Sequence, residues 1–168
     1  MIVARAIKPA TPFKSSVFRE ELLKAAKVIE QDALKDFNKT TANWKHKVVF
    51  TGKIESTGTQ SIKIIISTKD KIWGYVDEGT KPHIIKAKTR RGLLFKAGSK
   101  PKTTPDVVGT FPGQTGTDWV NKMQVKHPGT EPRNFTKHIA KTTQSELNRE
   151  VKNALARAAR RSGHSIKK

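Results

Sequence analysis

The sequence predicts an α+β fold in which an antiparallel β-sheet packs against two amphipathic α-helices, one N-terminal and one C-terminal. Apolar residues recur at helical spacing near the start of the chain and again near its end. Between these segments lie several short stretches rich in β-branched and aromatic residues, separated by glycine- and proline-containing turns. The order helix, strands, helix is typical of a sheet covered on one face by helices.

The length of 168 residues is that of one ordinary domain. Hydrophobic residues make up 35%, below the usual globular share, so part of the chain must be exposed arm, loop or tail. We expect an extended N-terminal arm at 1–14, which contains Pro9 and Pro12, then one α+β domain at 15–160. A flexible basic tail should follow at 161–168.

The first helix should begin at Ser15 or Ser16, either of which is a reasonable N-cap, and end near Asn38. Its apolar face consists of Phe18, Leu22, Ala25, Ala26, Ile29, Ala33 and Phe37. The second helix should begin near Arg133, with Thr130 as its cap and Pro132 at its entry. Its apolar face consists of Phe135, Ile139, Leu147, Val151, Ala154, Leu155 and Ala158.

Four segments between the helices are predicted to be strands of one sheet. Segments 44–54 and 61–68 should form a hairpin, and 92–95 and 119–125 should add two further strands. The intervening segment 97–118 is rich in proline and glycine and carries no strand pattern, so we expect a protruding loop.

Charge is the strongest compositional signal. The chain has a formal net charge of +20, which suits a polyanion or an acidic protein surface as partner. The stretch 81–102 contains no acidic residue, and its cations could neutralise DNA phosphates without sequence preference. The alternative is that these cations simply form a solvated face of the protein. The residues expected to face DNA or an acidic partner are Lys81, Lys86, Lys88, Arg90, Arg91, Lys96, Lys100 and Lys102.

Catalytic and metal-binding patterns are weak. The chain has no cysteine, which excludes disulfides and thiolate sites, and no apolar run suggests a signal peptide or membrane span. We expect no enzyme activity, cofactor or metal, and a small nuclease acting on DNA is the enzyme alternative. Either Asp77 or Glu78 should accept backbone N–H groups in the turn before Gly79, and the histidines in turns should hydrogen-bond the backbone. The groups available for acid–base chemistry are Asp77, Glu78, His83, His127 and His138.

An ordered series of short motifs resembles a known family. It comprises Tyr75, Glu78-Gly79-Thr80, Pro82-His83, the strand at 93–95, His127-Pro128-Gly129-Thr130, Pro132 and Phe135. This series resembles the tail-completion and head–tail joining proteins of long-tailed phages, the group that includes the minor tail protein Z type. Three departures stand out: the loop 97–118 looks longer than that family's, Asn134 stands where a proline often precedes the phenylalanine, and the charge is high for the group.

The resemblance implies a virion protein of the neck, made in the host cytoplasm and assembled as a ring around the DNA channel. Its implied partners are further copies of itself, the connector or adaptor, tail-terminator or tail-tube proteins, and genomic double-stranded DNA, with no membrane. The arm and the long loop should reach adjacent subunits. The alternative is a free nucleic-acid-binding protein without sequence preference.

The matched turns should have an architectural role. Gly79 and Gly129 should supply backbone angles that a β-carbon penalises, and Thr80 and Thr130 should hydrogen-bond nearby backbone. The segments at 79–83 and 129–133 echo each other without forming a repeat. The architectural residues are Glu78, Gly79, Thr80, Pro82, His83, His127, Pro128, Gly129, Thr130 and Pro132.

Overall fold

The computed structural model describes residues 2–5, 15–57 and 61–164. Within them the helices are α1 (Ser15–Thr41), α2 (Lys71–Asp77) and α3 (Phe135–Arg161). The strands are β1 (Ile2–Arg5), β2 (Thr51–Thr57), β3 (Ser61–Ser67), β4 (His83–Lys86), β5 (Leu93–Lys96), β6 (Trp119–Lys122) and β7 (Gln124–His127). The α+β class with long N- and C-terminal helices is confirmed.

The expected single sheet is wrong in one respect, because the strands form three small antiparallel sheets. Their orders are β1-β3-β2, β4-β7 and β5-β6. The chain also divides into two compact units where we expected one domain. The first unit comprises Met1–Phe37, Phe50–Thr68 and Ile139–Lys168, and the second comprises Asn38–Val49 and Lys69–His138.

The core of the first unit lies between its sheet and the two long helices. Alternate residues Ile62 and Ile64 of β3 are buried against the apolar faces of α1 and α3, as the sequence predicts for a sheet packed on helices. The buried cluster is Phe18, Leu22, Ala26, Ile29, Ile62, Ile64, Leu147 and Ala158. Burying such side chains contributes about 1.5–3 kcal/mol for each large one.

Glu21 joins α1 to α3 across this unit. Its side chain is 8% exposed and accepts hydrogen bonds from Nε of Arg157 at 2.9 Å and from a terminal nitrogen of Arg161 at 2.6 Å. These two bonds hold the pKa of the Glu21 carboxyl below its usual value. Arg161, predicted to lie in a flexible tail, is the last residue of α3 and is hydrogen-bonded to Glu21.

The end of α3 is closed by a glycine. Gly163 has φ of 85° and donates its N–H to the carbonyl of Arg160, while His164 donates to the carbonyl of Ala159, both at 3.0 Å. This pairing is the Schellman termination, which favours glycine because of its positive φ. Residues 165–168 of the predicted tail lie outside the described residues.

The N-terminal arm is described only at β1, which pairs with β3 of the same chain, Ile2 opposite Ile64. These arm residues therefore add a strand to the edge of a sheet in the same chain, whereas we expected the arm to reach an adjacent subunit. The remaining arm residues, 1 and 6–14, lie outside the described part.

The predicted strand 44–54 is wrong over its first part. Only its last residues belong to β2, and the chain after α1 turns, with the N–H of Trp44 donating to the carbonyl of Thr41 at 2.9 Å. The aromatic residues of this segment contact other aromatic rings instead of pairing in a strand. Trp44 lies 6.2 Å from Trp73 within the second unit. Tertiary packing here overrides the local preference of these residues for strands.

Helix α2 was not predicted from the sequence. Asp70 caps it by accepting the N–H of Trp73 at 2.8 Å. That hydrogen bond is the main reason that the pKa of Asp70 is lowered, and His46 adds to the effect. Trp73 is buried and stacks on Phe135, with 5.4 Å between ring centroids.

Asp77, the last residue of α2, caps α3. Its carboxylate accepts the N–H of Thr136 at 3.1 Å and the hydroxyl of Thr136 at 2.5 Å. The helix begins at Phe135, two residues after the expected start near Arg133, whereas the expected cap Thr130 is wrong. Thr130 lies five residues before Phe135, and the side chain that accepts the N–H of Thr136 is that of Asp77.

The backbone at Asn134 accounts for the absence there of the proline that the resemblance to the phage family leads one to expect. Its φ is 55° and its N–H donates to the carbonyl of Asp77 at 3.0 Å. Proline has neither a positive φ nor an N–H, so the proline often found in that family would not fit this backbone. Asparagine is among the residues that tolerate this conformation best.

None of the helices in the described ranges combines the length and apolar character needed to cross a bilayer.

Candidate functional site

The two motifs that echo each other in the sequence lie side by side in the second unit. Thr80 and Thr130 form an antiparallel bridge, with backbone N–H to carbonyl distances of 2.9 and 3.1 Å. The hydroxyl of Thr80 also accepts the N–H of Thr130 at 2.9 Å. The expectation that both threonines hydrogen-bond nearby backbone is met only in part, because the Thr80 hydroxyl bonds the backbone of the distant Thr130 and the remaining two bonds join backbone to backbone.

Glycine is required on both sides of this bridge. Gly79 and Gly129 have φ of 76° and 93°, a region that penalises any β-carbon. A β-carbon on Gly129 would overlap the carbonyl oxygen of Thr80, and one on Gly79 would lie 2.5 Å from the carbonyl oxygen of Thr130. The two strands can approach only because both positions lack side chains.

The bridge continues into the β4–β7 ladder without a change of register. His83 pairs with His127, and Thr80 and Thr130 each stand three residues outside that pair. At the other end the N–H of Ala87 donates to the carbonyl of Met123 at 2.8 Å. Residues 80–87 and 123–130 therefore form one antiparallel ribbon.

A basic bulge lies at the end of the ribbon, opposite Met123. The next ladder, β5–β6, begins with Leu93 opposite Lys122, so residues 87–92 face Met123 alone. This basic bulge carries Lys88, Arg90 and Arg91, all of them exposed. It is fastened by the side-chain amide of Asn121, which donates to the carbonyl of Arg91 at 3.0 Å, and it closes at Gly92, where φ is 81°.

Most of the predicted contact cations are exposed on this ribbon. Those that are exposed and form no ion pair within 4.0 Å among the described residues are Lys81, Lys86, Lys88, Arg90, Arg91 and Lys100. Lys96 is partly buried, with its ammonium 5.3 Å from the ring centre of Trp119. Lys102 is also partly buried and donates to the carbonyl of Asn43 at 2.5 Å, so it has an internal role.

Two cations that the sequence analysis missed belong to the same surface. Lys122 and Lys126 are exposed and lie opposite Leu93 and Ile84 in the two ladders. They come from the segment after the long loop, outside the acid-free stretch. Only knowledge of the strand pairing would have placed them beside the first basic stretch.

Large apolar side chains are exposed among these cations. Leu94 and Trp119 are each 64% exposed, and Ile84 and Met123 are each 58% exposed. Within β5–β6, Leu94 pairs with Asn121 and Lys96 pairs with Trp119, which places all four on one face of that ladder. Exposed apolar residues in a group indicate a surface that contacts another molecule.

The long loop 97–118 is present and is tied to other parts of the second unit. Lys100 and Gln114 form a backbone bridge, with distances of 2.7 and 3.2 Å. The carbonyl of Phe111 accepts from the side chain of Asn43 at 2.6 Å, and the N–H of Asp106 donates to the carbonyl of Arg133 at 2.9 Å. Thr103 is buried, so the middle of the loop contributes to the unit's interior.

His83 and His127 converge, and both bond backbone groups as expected. Their ring centroids are 5.0 Å apart. Nδ1 of His83 donates to the carbonyl of Lys81 at 2.9 Å, and Nδ1 of His127 accepts the N–H of Gly129 at 3.1 Å. In the part of the chain that the structure describes, no three His, Cys, Asp or Glu side chains are grouped to hold a metal ion.

Of the adjacent acids, Asp77 is the one that accepts a backbone N–H. It receives this bond from Thr136 at the start of α3, and not from the turn before Gly79. Glu78 is exposed. The buried Asp77 therefore has a structural role as a helix cap, and the exposed Glu78 does not share it.

Comparison of the chain with protein-family models, with curated proteins and with solved structures found no match. The resemblance to head–tail joining proteins thus stays a prediction from the residues.

Proposed function

We propose that the protein is a structural component of a long-tailed phage that completes the tail or joins it to the head at the neck. It would act as a subunit of a ring around the DNA channel, without catalysis. The observation that carries this proposal is the pairing of the two motif segments. Two segments that are far apart in the sequence lie side by side: Thr80 is bridged to Thr130, and His83 pairs with His127 in the same register.

The ribbon's surface has the chemistry that such a role needs. Its exposed cations suit DNA phosphates or the acidic surface of a neighbouring ring. The exposed apolar residues of the adjoining β5–β6 ladder, Leu94 and Trp119 above all, suit protein neighbours. A ring subunit needs both kinds of contact, since it touches copies of itself as well as the components above and below.

Charge reversal in the basic bulge tests this proposal. A phage lacking the gene is complemented with R90E/R91E, or with R19E/K27E as the matched control on the exposed side of α1. We expect R90E/R91E to reduce the yield of infectious particles at least tenfold while its circular dichroism matches that of the control. Equal yields from both variants would contradict a contact role for the bulge.

The second candidate is a free nucleic-acid-binding protein without sequence preference, which the net charge of +20 favours. It predicts that the isolated protein binds duplex DNA and loses affinity steeply with salt, about one unit of logarithmic slope for each phosphate contacted. R90Q/R91Q should lower that slope by about 2, and R19Q/K27Q should not. Absence of DNA binding at low salt would eliminate this candidate.

A further inference from the structure

The second unit contains a pocket of about 380 Å³ that neither proposal above uses. Its apolar walls are formed by Trp44, Ile72, Val76 and Pro101. Its polar lining includes three cationic residues, Lys45, Lys102 and Arg133. The volume falls at the lower end of the range for pockets that bind small ligands.

Arg133 is the feature that indicates a ligand. The residue is only 7% exposed, and its Nε is buried without a hydrogen-bond partner among the described residues. In the same part of the chain its ion pairing is limited to Glu131 at 3.6 Å, and the side chain of Glu131 is 75% exposed. Arginine keeps its charge in proteins, and a buried charge without a close partner is costly. An anion in the pocket would remove that cost.

The backbone holds Arg133 in place independently of its side chain. Its N–H lies 3.1 Å from the carbonyls of both Val76 and Asp77, and its carbonyl accepts the N–H of Asp106 at 2.9 Å. The guanidinium is therefore presented from a fixed backbone between α2 and the long loop. A donor fixed in this way needs little ordering when an anion binds.

The pocket favours a carboxylate over a nucleic-acid phosphate. Lys102 uses one of its three donors on the carbonyl of Asn43 and keeps two for a ligand. Arginine matches a planar carboxylate with two parallel hydrogen bonds. The apolar walls would cover a hydrocarbon group next to that carboxylate, whereas the phosphates of a duplex lie on the outside of a stiff, hydrated polymer.

We propose that this pocket binds a carboxylate that carries an apolar group, with Arg133 as the principal anchor and Lys45 and Lys102 beside it. Two sources share this chemistry, namely the C-terminal residue of a partner protein and a free small carboxylic acid. The proposal stands on the pocket's geometry and does not depend on the head–tail role.

Calorimetric titration of the full chain tests the ligand class. The probes are a tetrapeptide of three glycines and a C-terminal leucine, the same peptide with an amidated C-terminus, hexanoate, and inorganic phosphate. We expect binding of at least one carboxylate, and at least tenfold weaker binding of the amide and of phosphate. Tighter binding of the peptide than of hexanoate would identify a protein C-terminus, and the reverse would identify a free acid. Binding of neither carboxylate, or displacement of the carboxylate by duplex DNA, would overturn the proposal.

Substitution of the anchor separates binding from a structural role. R133M should weaken carboxylate binding at least tenfold, and R149M, at an exposed arginine of α3, should leave it unchanged. The ligand-free R133M chain should unfold at the same temperature as the original or at a higher one, because a costly buried charge is gone. A large fall in that temperature, or failure of R133M to fold, would make Arg133 structural and contradict the proposal. K45Q should weaken binding several-fold without affecting folding, and unchanged binding would count against the site.

Discussion

Removal of the Asp77 carboxylate should destabilise the second unit, because this side chain caps α3 from another helix. The carboxylate accepts two hydrogen bonds, from the N–H of Thr136 at 3.1 Å and from its hydroxyl at 2.5 Å. The carbonyl of Asp77 separately accepts the N–H groups of Arg133 and Asn134 at 3.1 and 3.0 Å. Those backbone bonds persist in a side-chain variant, so D77A reports the carboxylate alone.

The magnitude follows from these two bonds. A hydrogen bond to a charged group contributes about 1.5–3 kcal/mol, and replacing an N-cap residue with alanine costs about 0.5–2 kcal/mol. The two figures overlap because one of the bonds is the cap itself. We therefore expect D77A to lower the free energy of unfolding by about 2–4 kcal/mol. D77N keeps an acceptor for the N–H and loses the charge, and should cost about 1 kcal/mol.

Urea unfolding followed by circular dichroism measures these differences, with E78A as the control. Glu78 is the adjacent residue, carries the same functional group and is exposed, so E78A should change stability by less than about 0.5 kcal/mol. If D77A proves no less stable than E78A, the cap described here does not stabilise the fold.

Three further predictions concern other parts of the chain. G129A should be more destabilising than G98A in urea unfolding. Both positions have positive φ, which costs alanine about 1–2 kcal/mol, but only at Gly129 would the added β-carbon overlap backbone atoms. Equal losses of stability would contradict the close pairing of the two motifs. The lowered pKa of Glu21 means that its stabilising effect is present above pH 4.5, its ordinary value, and is lost as pH falls through the lowered folded pKa. E21Q should therefore be less stable at neutral pH and lose less on acidification, and parallel curves for the two proteins would refute this. W119A should leave unfolding unchanged within about 0.5 kcal/mol, since the indole is largely exposed, yet should reduce self-association if that surface meets another copy.

The long helices could be predicted because their apolar residues follow the helical period over many turns. Helix α2 could not, since it is only seven residues long and contains Gly74. Asp70 was the available signal for its start, as an N-cap preceding Trp73. Segment 44–50 misled in the opposite direction, because aromatic residues that prefer strands are held by ring contacts such as that of Trp44 with Trp73.

The candidate site was predicted in its parts and missed in its assembly. The glycines and threonines of the two turns could be recognised, but the local sequence contains no information that Thr80 pairs with Thr130, which lies beyond the long loop. For the same reason Lys122 and Lys126 were not grouped with the basic bulge. The burial of Arg133 could not be predicted, because arginine is rarely buried and its sequence context gives no sign of the pocket.

The head–tail role is tested most directly by electron microscopy of a lysate from a phage whose copy of this gene is disrupted. We expect filled heads lying apart from tails, or tails of faulty length or faulty ends, and restoration of whole particles when the gene is supplied. Intact particles in normal numbers would contradict the proposed function, and the exposed cations of the ribbon would then require another partner.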